Sequence, residues 1–169
     1  MKLTLEKIIS GGQTGADRGA LDFAISVGLP HGGWCPLGRR AEDGPIPKHY
    51  QLKETWSGDY STRTSFNVRD SCGTLIFMFR PSPGSTLTVA KCNHFGRPFK
   101  KVLLSPRPDL EVGVGLANLS INDLAGWIIA HNIRVLNVAG HRESVMPGIE
   151  KFTCQILTEV FQYLIACSR

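Results

Sequence analysis

The sequence predicts an α/β fold: a doubly wound, mostly parallel sheet with helices on both faces, in a single domain. Three observations predict it. Short apolar runs alternate with helix-period segments along the chain. One of the runs, "GTLIFMF" (Gly73–Phe79), is continuous rather than alternating, as a strand covered on both faces is, and "IRVLNV" (Ile133–Val138) reads as another buried inner strand. Glycine-rich turns stand where an apolar run gives way to a helix. With 169 residues, 42% of them hydrophobic, the chain is large enough for one core.

The elements follow in order. Lys7–Ser10 reads as a strand, and Asp17–Val27 as a helix turning Leu21, Ala24, Ile25 and Val27 toward a core. Gly28-Leu29-Pro30 stops that helix, and His31–Cys35 is a short extended piece. The stretch "PLGRRAEDGPIPKHY" is a long loop of turn residues. Tyr60–Asp70 is helical, Gly73–Phe79 is the central strand, Thr86–Phe95 a helix and Lys101–Leu104 a strand. Ser105–Leu119 fits least well and is either an irregular loop or an extra short strand. Ser120–His131 is a helix, Ile133–Val138 a buried strand and Gly148–Ile165 a closing helix. The apolar residues of that last helix (Phe152, Ile156, Leu157, Val160, Phe161, Leu164, Ile165) lie on more than one face, which predicts a homo-oligomer.

Composition bounds the function. The net charge is +5, compatible with an anionic ligand, but the basic residues are spread along the chain and aromatic RNA-binding signatures are absent, which argues against nucleic acid. No apolar run is long enough to span a bilayer and the first residues lead into no signal-peptide core, so no membrane association and a cytoplasmic location are expected. Five cysteines without a CxxC spacing indicate neither a zinc site nor a disulfide framework.

In an open parallel sheet, ligands bind beyond the carboxyl ends of the strands. Here those ends carry Gly11–Arg18, Trp34–Arg40, Arg80–Thr86 and Ala139–Gly148. The first and third share one design: strand, glycine with Ser or Thr, then helix. Backbone N–H groups converge there on a positively polarised helix start, which suits phosphate or another oxyanion. Gly11, Gly12, Gln13, Thr14 and Gly15 supply one set of donors, and Gly84, Ser85 and Thr86 a second. Arg18, Arg39, Arg40 and Arg63 are candidates for bidentate oxyanion contacts. The plainer alternative makes both loops ordinary βα turns. Neither fits GxGxxG, and no GxxxxGK[ST] is present. No nucleophile–His–acid set is evident, so the site is expected to bind rather than react.

The segments "IISGGQTGADRGALD" (Ile8–Asp22), "HGGWCPLGRRAEDGPIP" (His31–Pro47), "RTSFNVRDSCGTLI" (Arg63–Ile76), "GSTLT" (Gly84–Thr88) and "RVLNVAGHRESVMPGI" (Arg134–Ile149) resemble the molybdenum cofactor carrier proteins. That family is a branch of a wider Rossmann-like superfamily that includes cytokinin-activating phosphoribohydrolases. The resemblance implies a Rossmann-like fold, often oligomeric, and it implies binding, storage and protection of the molybdenum cofactor (molybdopterin) as cargo for molybdoenzymes or from cofactor-synthesis proteins. It makes Trp34 a candidate platform for the flat pterin and Asn67 a motif position on the helix before the central strand. Cys35 is less favoured as a molybdenum ligand, because the cofactor already carries dithiolene sulfurs.

One departure bears on activity. The phosphoribohydrolases carry a PGGxGTxxE motif whose Glu assists glycosidic cleavage; the comparable stretch here is "SPGSTLTVAKC", without an acid at that place. Glu42, Asp43 and Glu143 are the remaining carboxylates on nearby loops. The expectation is a carrier without catalytic residues. A nucleoside-monophosphate phosphoribohydrolase and a sensor of a nucleotide-derived ligand are the alternatives. Gly12 is expected to admit the ligand, so that Gly12→Val blocks binding more than folding.

Overall fold

The computed structural model describes residues 5–168; residues 1–4, read above for a leader, lie outside them. The chain opens with β1 (Lys7–Ile9), α1 (Ala16–Ser26) and β2 (His31–Gly32). The long loop holds four two-residue strands, β3 (Trp34–Cys35), β4 (Arg40–Ala41), β5 (Gly44–Pro45) and β6 (Lys53–Glu54). Then come α2 (Tyr60–Arg69), β7 (Gly73–Met78), α3 (Pro83–Phe95) and β8 (Phe99–Pro106). The chain closes with β9 (Val114–Leu116), α4 (Ile121–Ala130), β10 (Val135–Gly140) and α5 (Ile149–Ser168).

The central sheet has the order β2-β1-β10-β7-β8-β9. Its first five strands are parallel and β9 is antiparallel to β8. Gly73–Phe79 and Ile133–Val138 both supply inner strands, as expected: every residue of β7 is buried, and β10 lies between it and β1. The stretch that fitted least well contains an extra short strand, β9. From β1 the chain crosses through α1 outward to β2, and from β7 it crosses through α3 in the opposite sense to β8. Right-handed crossovers in opposite directions place α1 and α3 on opposite faces. The direction changes around β10, so the crevice lies beyond the carboxyl ends of β1, β10 and β7.

The two faces differ in content. On one, α1, α4 and α5 pack together and bury Phe23, Leu75, Phe77, Ile128, Leu136, Phe152 and Val160. Burial of Leu75 or Phe77 stabilises by about 2 kcal/mol each. On the other, α2 packs against α3 over smaller and more polar residues, among them Thr74, Ser85, Thr88, Cys92 and Asn137. Asn137 Nδ2 donates to Thr74 Oγ1 at 3.2 Å within that layer.

Helix α5 accounts for its own excess of apolar residues. It packs against both α1 and α4, and Phe152, Ile156, Leu157, Val160 and Leu164 are all buried within the chain. A second apolar face on this helix therefore calls for no second subunit. Helix α3 begins at Pro83 rather than Thr86, because Ser82 closes a capping box with Ser85: Ser82 Oγ accepts from Ser85 N–H at 3.1 Å, and Ser85 Oγ accepts from Ser82 N–H at 2.8 Å. Pro83 fits the first helical position, where its missing N–H costs nothing.

Candidate functional site

The turn after β1 is the natural starting point, because its N–H groups are the donors expected to hold an anion. The protein itself supplies their acceptors. Asp17, on the first turn of α1, accepts from Gln13 N–H at 3.2 Å and from Gly11 N–H. Ser10 Oγ accepts from Gly12 N–H at 3.3 Å, and Gln13 Oε1 from Thr14 N–H at 3.1 Å. Glu150, on the first turn of α5, accepts from Gly15 N–H at 3.1 Å. Burial pushes the Asp17 carboxyl above its ordinary value, against the lowering effect of Arg63 and the two N–H groups. Burial likewise raises Glu150. The turn is thus an anion nest that already holds two carboxylates of the chain.

A hairpin straps it from outside. Glu42, between β4 and β5, takes the Thr14 hydroxyl, the Ser144 hydroxyl at 2.5 Å and the Ser144 N–H at 3.3 Å. Burial works against its charge, yet the bonds from Ser144 and Thr14 and the nearby Arg142 together hold the Glu42 carboxyl below its ordinary value. Asp43 beside it forms a bidentate pair with Arg18, at 2.6 and 2.8 Å, and Arg18 Nε donates to Gly12 carbonyl at 3.1 Å. The Arg18 guanidinium bonds hold the Asp43 carboxyl low.

Next to the strapped turn lies a cavity of about 470 Å³, between α2 and α3 and over the end of β10. That is a volume typical of small-molecule sites. Tyr60, Arg63, Thr64 and Asn67 line it from α2, and Gly84, Ser85 and Thr88 from α3. Gly11, Gln13 and Asp17 contribute from the first turn, and Asn137, His141 and Arg142 from β10 and the loop behind it. The Arg63 side chain lies where a Cβ at position 11 would stand, 2.0 Å from Nη1, so any side chain there displaces the guanidinium. Arg63 Nη1 reaches Asp17 at 3.2 Å.

Two buried polar atoms of lining residues have no partner: Gln13 Nε2 and His141 Nε2. Gln13 is only 3% exposed and His141 4%. The Gln13 amide is oriented by its oxygen, which accepts from Thr14 N–H and from Glu42 N–H at 2.9 Å, leaving the NH2 over. The His141 ring bonds the Arg80 backbone, and since Nε2 is unpartnered that bond belongs to Nδ1. Burial depresses the His141 pKa, so the ring is neutral and Nε2 is a bare acceptor. A buried donor and a buried acceptor without partners each carry a desolvation cost.

Of the residues singled out in the sequence, Gly11, Gln13, Arg63, Asn67, Gly84 and Ser85 line this cavity, whereas Gly12, Thr14, Gly15, Arg18, Trp34, Arg39 and Thr86 do not. The second group is occupied elsewhere. Arg39 pins the long loop, donating to the carbonyls of Ile46, Pro47 and Tyr50 at 2.9, 2.9 and 2.8 Å. Trp34 Nε1 donates to Asp70 at 2.8 Å, and its ring meets Phe66 edge-on. Asn67 spends its amide on the Trp34 backbone, at 2.8 and 2.9 Å. Thr86 is exposed on the first turn of α3. Gly12 faces the long loop: its Cβ would meet Leu52 Cδ1 at 2.5 Å and Ile46 Cδ1 at 3.0 Å. Cys35 is fully buried in a small core with Leu21, Ile46 and Tyr50.

Sequence reasoning passed over Tyr60, Asn137, His141 and Arg142. Asn137 had a signal, a polar residue inside a buried strand; His141 and Arg142 had theirs in standing just past that strand's carboxyl end. Among the described residues no group of three His, Cys, Asp or Glu side chains is placed to hold a metal ion. No helix among them is long and apolar enough to cross a membrane.

The Circularly permutated YpsA SLOG family matches residues 8–161 of this chain. A crystal structure of a protein from Syntrophus aciditrophicus, named "Putative molybdenum carrier protein", is 44% identical, with a TM-score of 0.81 over 95% of this chain and 97% of that one. No curated protein matches.

Proposed function

We propose a function from one premise: this chain belongs to the Circularly permutated YpsA SLOG family. It binds the molybdenum cofactor in the cavity between α2 and α3, and it stores and protects that cargo for delivery to molybdoenzymes in the cytoplasm. The observation that carries this reading is the cavity itself, at the crevice of the doubly wound sheet, lined by Gln13 and His141, each of which holds a buried polar atom without a partner. A fused heterocycle presents both a carbonyl and ring N–H groups, the complements of those two atoms. The name of the Syntrophus aciditrophicus relative supports the choice of cargo.

A carrier is favoured over a phosphoribohydrolase because the three acids named above are engaged in structure. Glu42 holds Thr14 and Ser144, Asp43 holds Arg18, and Glu143 caps α5 through Gly148 N–H at 2.5 Å and Glu150 N–H at 3.0 Å. Assembly as a homo-oligomer is retained from the family resemblance alone.

The test is purification from a host that makes the cofactor and from an isogenic host that does not. Molybdenum by mass spectrometry and pterin by fluorescence after oxidation are expected near one per binding site from the first host and absent from the second. Equal, background values from both hosts would overturn the reading.

A further inference from the structure

Three arginines from three separate elements converge on one ring. Arg40 of β4, Arg63 of α2 and Arg142 of the loop after β10 place Cζ at 5.8, 5.2 and 5.2 Å from the centroid of Tyr60, at the edge of the cavity. Their guanidiniums are sparsely used. Arg40 donates to Gly58 carbonyl at 3.4 Å and Arg63 to Asp17 at 3.2 Å. Among the described residues neither Arg40 nor Arg142 has a carboxylate within 4.0 Å.

The carboxylates in the neighbourhood are aimed elsewhere. Asp59 caps α2 through Ser61 N–H at 3.0 Å and Glu42 is held by Thr14 and Ser144, while Asp17 divides itself between the first turn and one Nη of Arg63. A cation over an exposed aromatic ring gains only about 0.5–1 kcal/mol. Three like charges gathered on one ring at that return repel one another, and their forks of N–H donors stay largely unfilled.

We propose that Arg40, Arg63 and Arg142, seated around Tyr60, form a receptor for a phosphomonoester dianion at the cavity mouth, with the body of the same ligand in the cavity that Gln13 and His141 help to line. The assignment rests on the cavity reading given above and adds to it the chemical form of the cargo. Guanidinium forks match the oxygens of a terminal phosphate, which exposes three of them; a diester offers two and carries a single charge. The receptor therefore selects cargo ending in a free phosphate over cargo whose phosphate is extended into a nucleotide. It also moves the anion site from the Gly11–Gly15 N–H groups, which the chain fills itself, to the arginines beside them.

The experiment is calorimetric titration of wild type, Arg40→Gln, Arg142→Gln and the double variant. The probes are inorganic phosphate, 6-hydroxymethylpterin phosphate, its methyl diester and the unphosphorylated alcohol. Arg40 is exposed and Arg142 half-buried, so thermal midpoints are expected to stay at the wild-type value. Wild type is expected to bind the monoester at least tenfold more tightly than diester or alcohol, and each Gln variant to lose about tenfold for the monoester alone. Arg142→Lys, which keeps the charge and loses the fork, is expected to fall between. Equal binding of monoester and alcohol, or wild-type monoester affinity in the double variant, overturns the receptor.

Titration with the molybdenum cofactor separates this proposal from the one it rests on. Arginine-dependent binding of the simple phosphomonoesters without cofactor binding upholds the receptor and removes the cargo assignment. Wild-type cofactor affinity in the double variant removes the receptor and leaves the cargo assignment standing.

Discussion

Arg63 fills the place where a side chain on Gly11 would begin, its Nη1 2.0 Å from the position of a Cβ there, with Cζ and Cδ at 2.6 and 2.8 Å. Gly11 lies outside the positive-φ residues, so alanine suits its backbone and the conflict is with Arg63 alone. Gly11→Ala is therefore expected to drive the guanidinium off Asp17 and out of its seat at Tyr60. Anion affinity should drop about tenfold, while the thermal midpoint moves by only a few degrees. Phosphate titration and a melting curve on the same sample check both halves.

Gly12→Val should behave in the reverse manner. The position has φ 75°, a region strained for a β-branched residue, and its Cβ meets Leu52 and Ile46 rather than the cavity. A loss of about 2–3 kcal/mol in unfolding free energy is expected from strain and overpacking together. Denaturant titration measures it. Ligand affinity corrected for the folded fraction should stay within about threefold of wild type, below half a power of ten.

The start of α3 depends on one hydroxyl. Ser82→Ala removes the acceptor for Ser85 N–H, while the Ser85 hydroxyl keeps its bonds to the backbone of residue 82, and a loss of about 1 kcal/mol is expected. Ser82→Asp, which restores an acceptor at the helix start, should recover most of it. Chemical denaturation of the three proteins provides the comparison.

Acid should release the β4–β5 hairpin before it unfolds the molecule. Glu42 and Asp43 have carboxyls held below their ordinary 4.5 and 3.8, so their stabilising contribution is present at neutral pH and disappears as pH falls beneath those values. Asp17 runs the other way: its raised value makes its contribution complete below 3.8 and lost as pH climbs through that raised value. Glu150, also raised, runs with Asp17; Asp17→Asn deletes one of these two opposing contributions, so the fall in melting temperature from pH 7 to pH 3 should be steeper than in wild type. Proteolysis at 40–45 between pH 5 and pH 3 reports the hairpin itself.

The inner strands were legible because burial on both faces writes an unbroken apolar run, as in Leu75-Ile76-Phe77-Met78. Strand β9 was not, since three residues become a strand only by pairing with β8. The turn at Gly11–Gly15 was legible as a place but not as a state: Asp17 is near in sequence to the N–H groups it fills, whereas Glu150 reaches Gly15 from 135 residues away. The arginines show the same divide. Nothing in local spacing tells that Arg39 spends its fork on three carbonyls, or that Arg142 arrives beside Arg63. The first follows from how the long loop folds back on itself over 39–50, the second from where β10 ends relative to α2.

The unequal content of the two sheet faces has a dynamic consequence. The side built from α1, α4 and α5 carries the interlocked aromatic and aliphatic packing, and its amides should exchange with deuterium only through global unfolding. The side built from α2 and α3 has a thinner apolar layer (Val68, Ile76 and Met78) mixed with Thr74, Thr88, Asn137 and a hollow, so these helices should open as a local unit at lower free energy. The cargo proposed for the cavity would then enter and leave by partial opening of two helices while the rest of the sheet stays closed, and saturation with ligand should slow deuterium uptake in α2 and α3 far more than in α5.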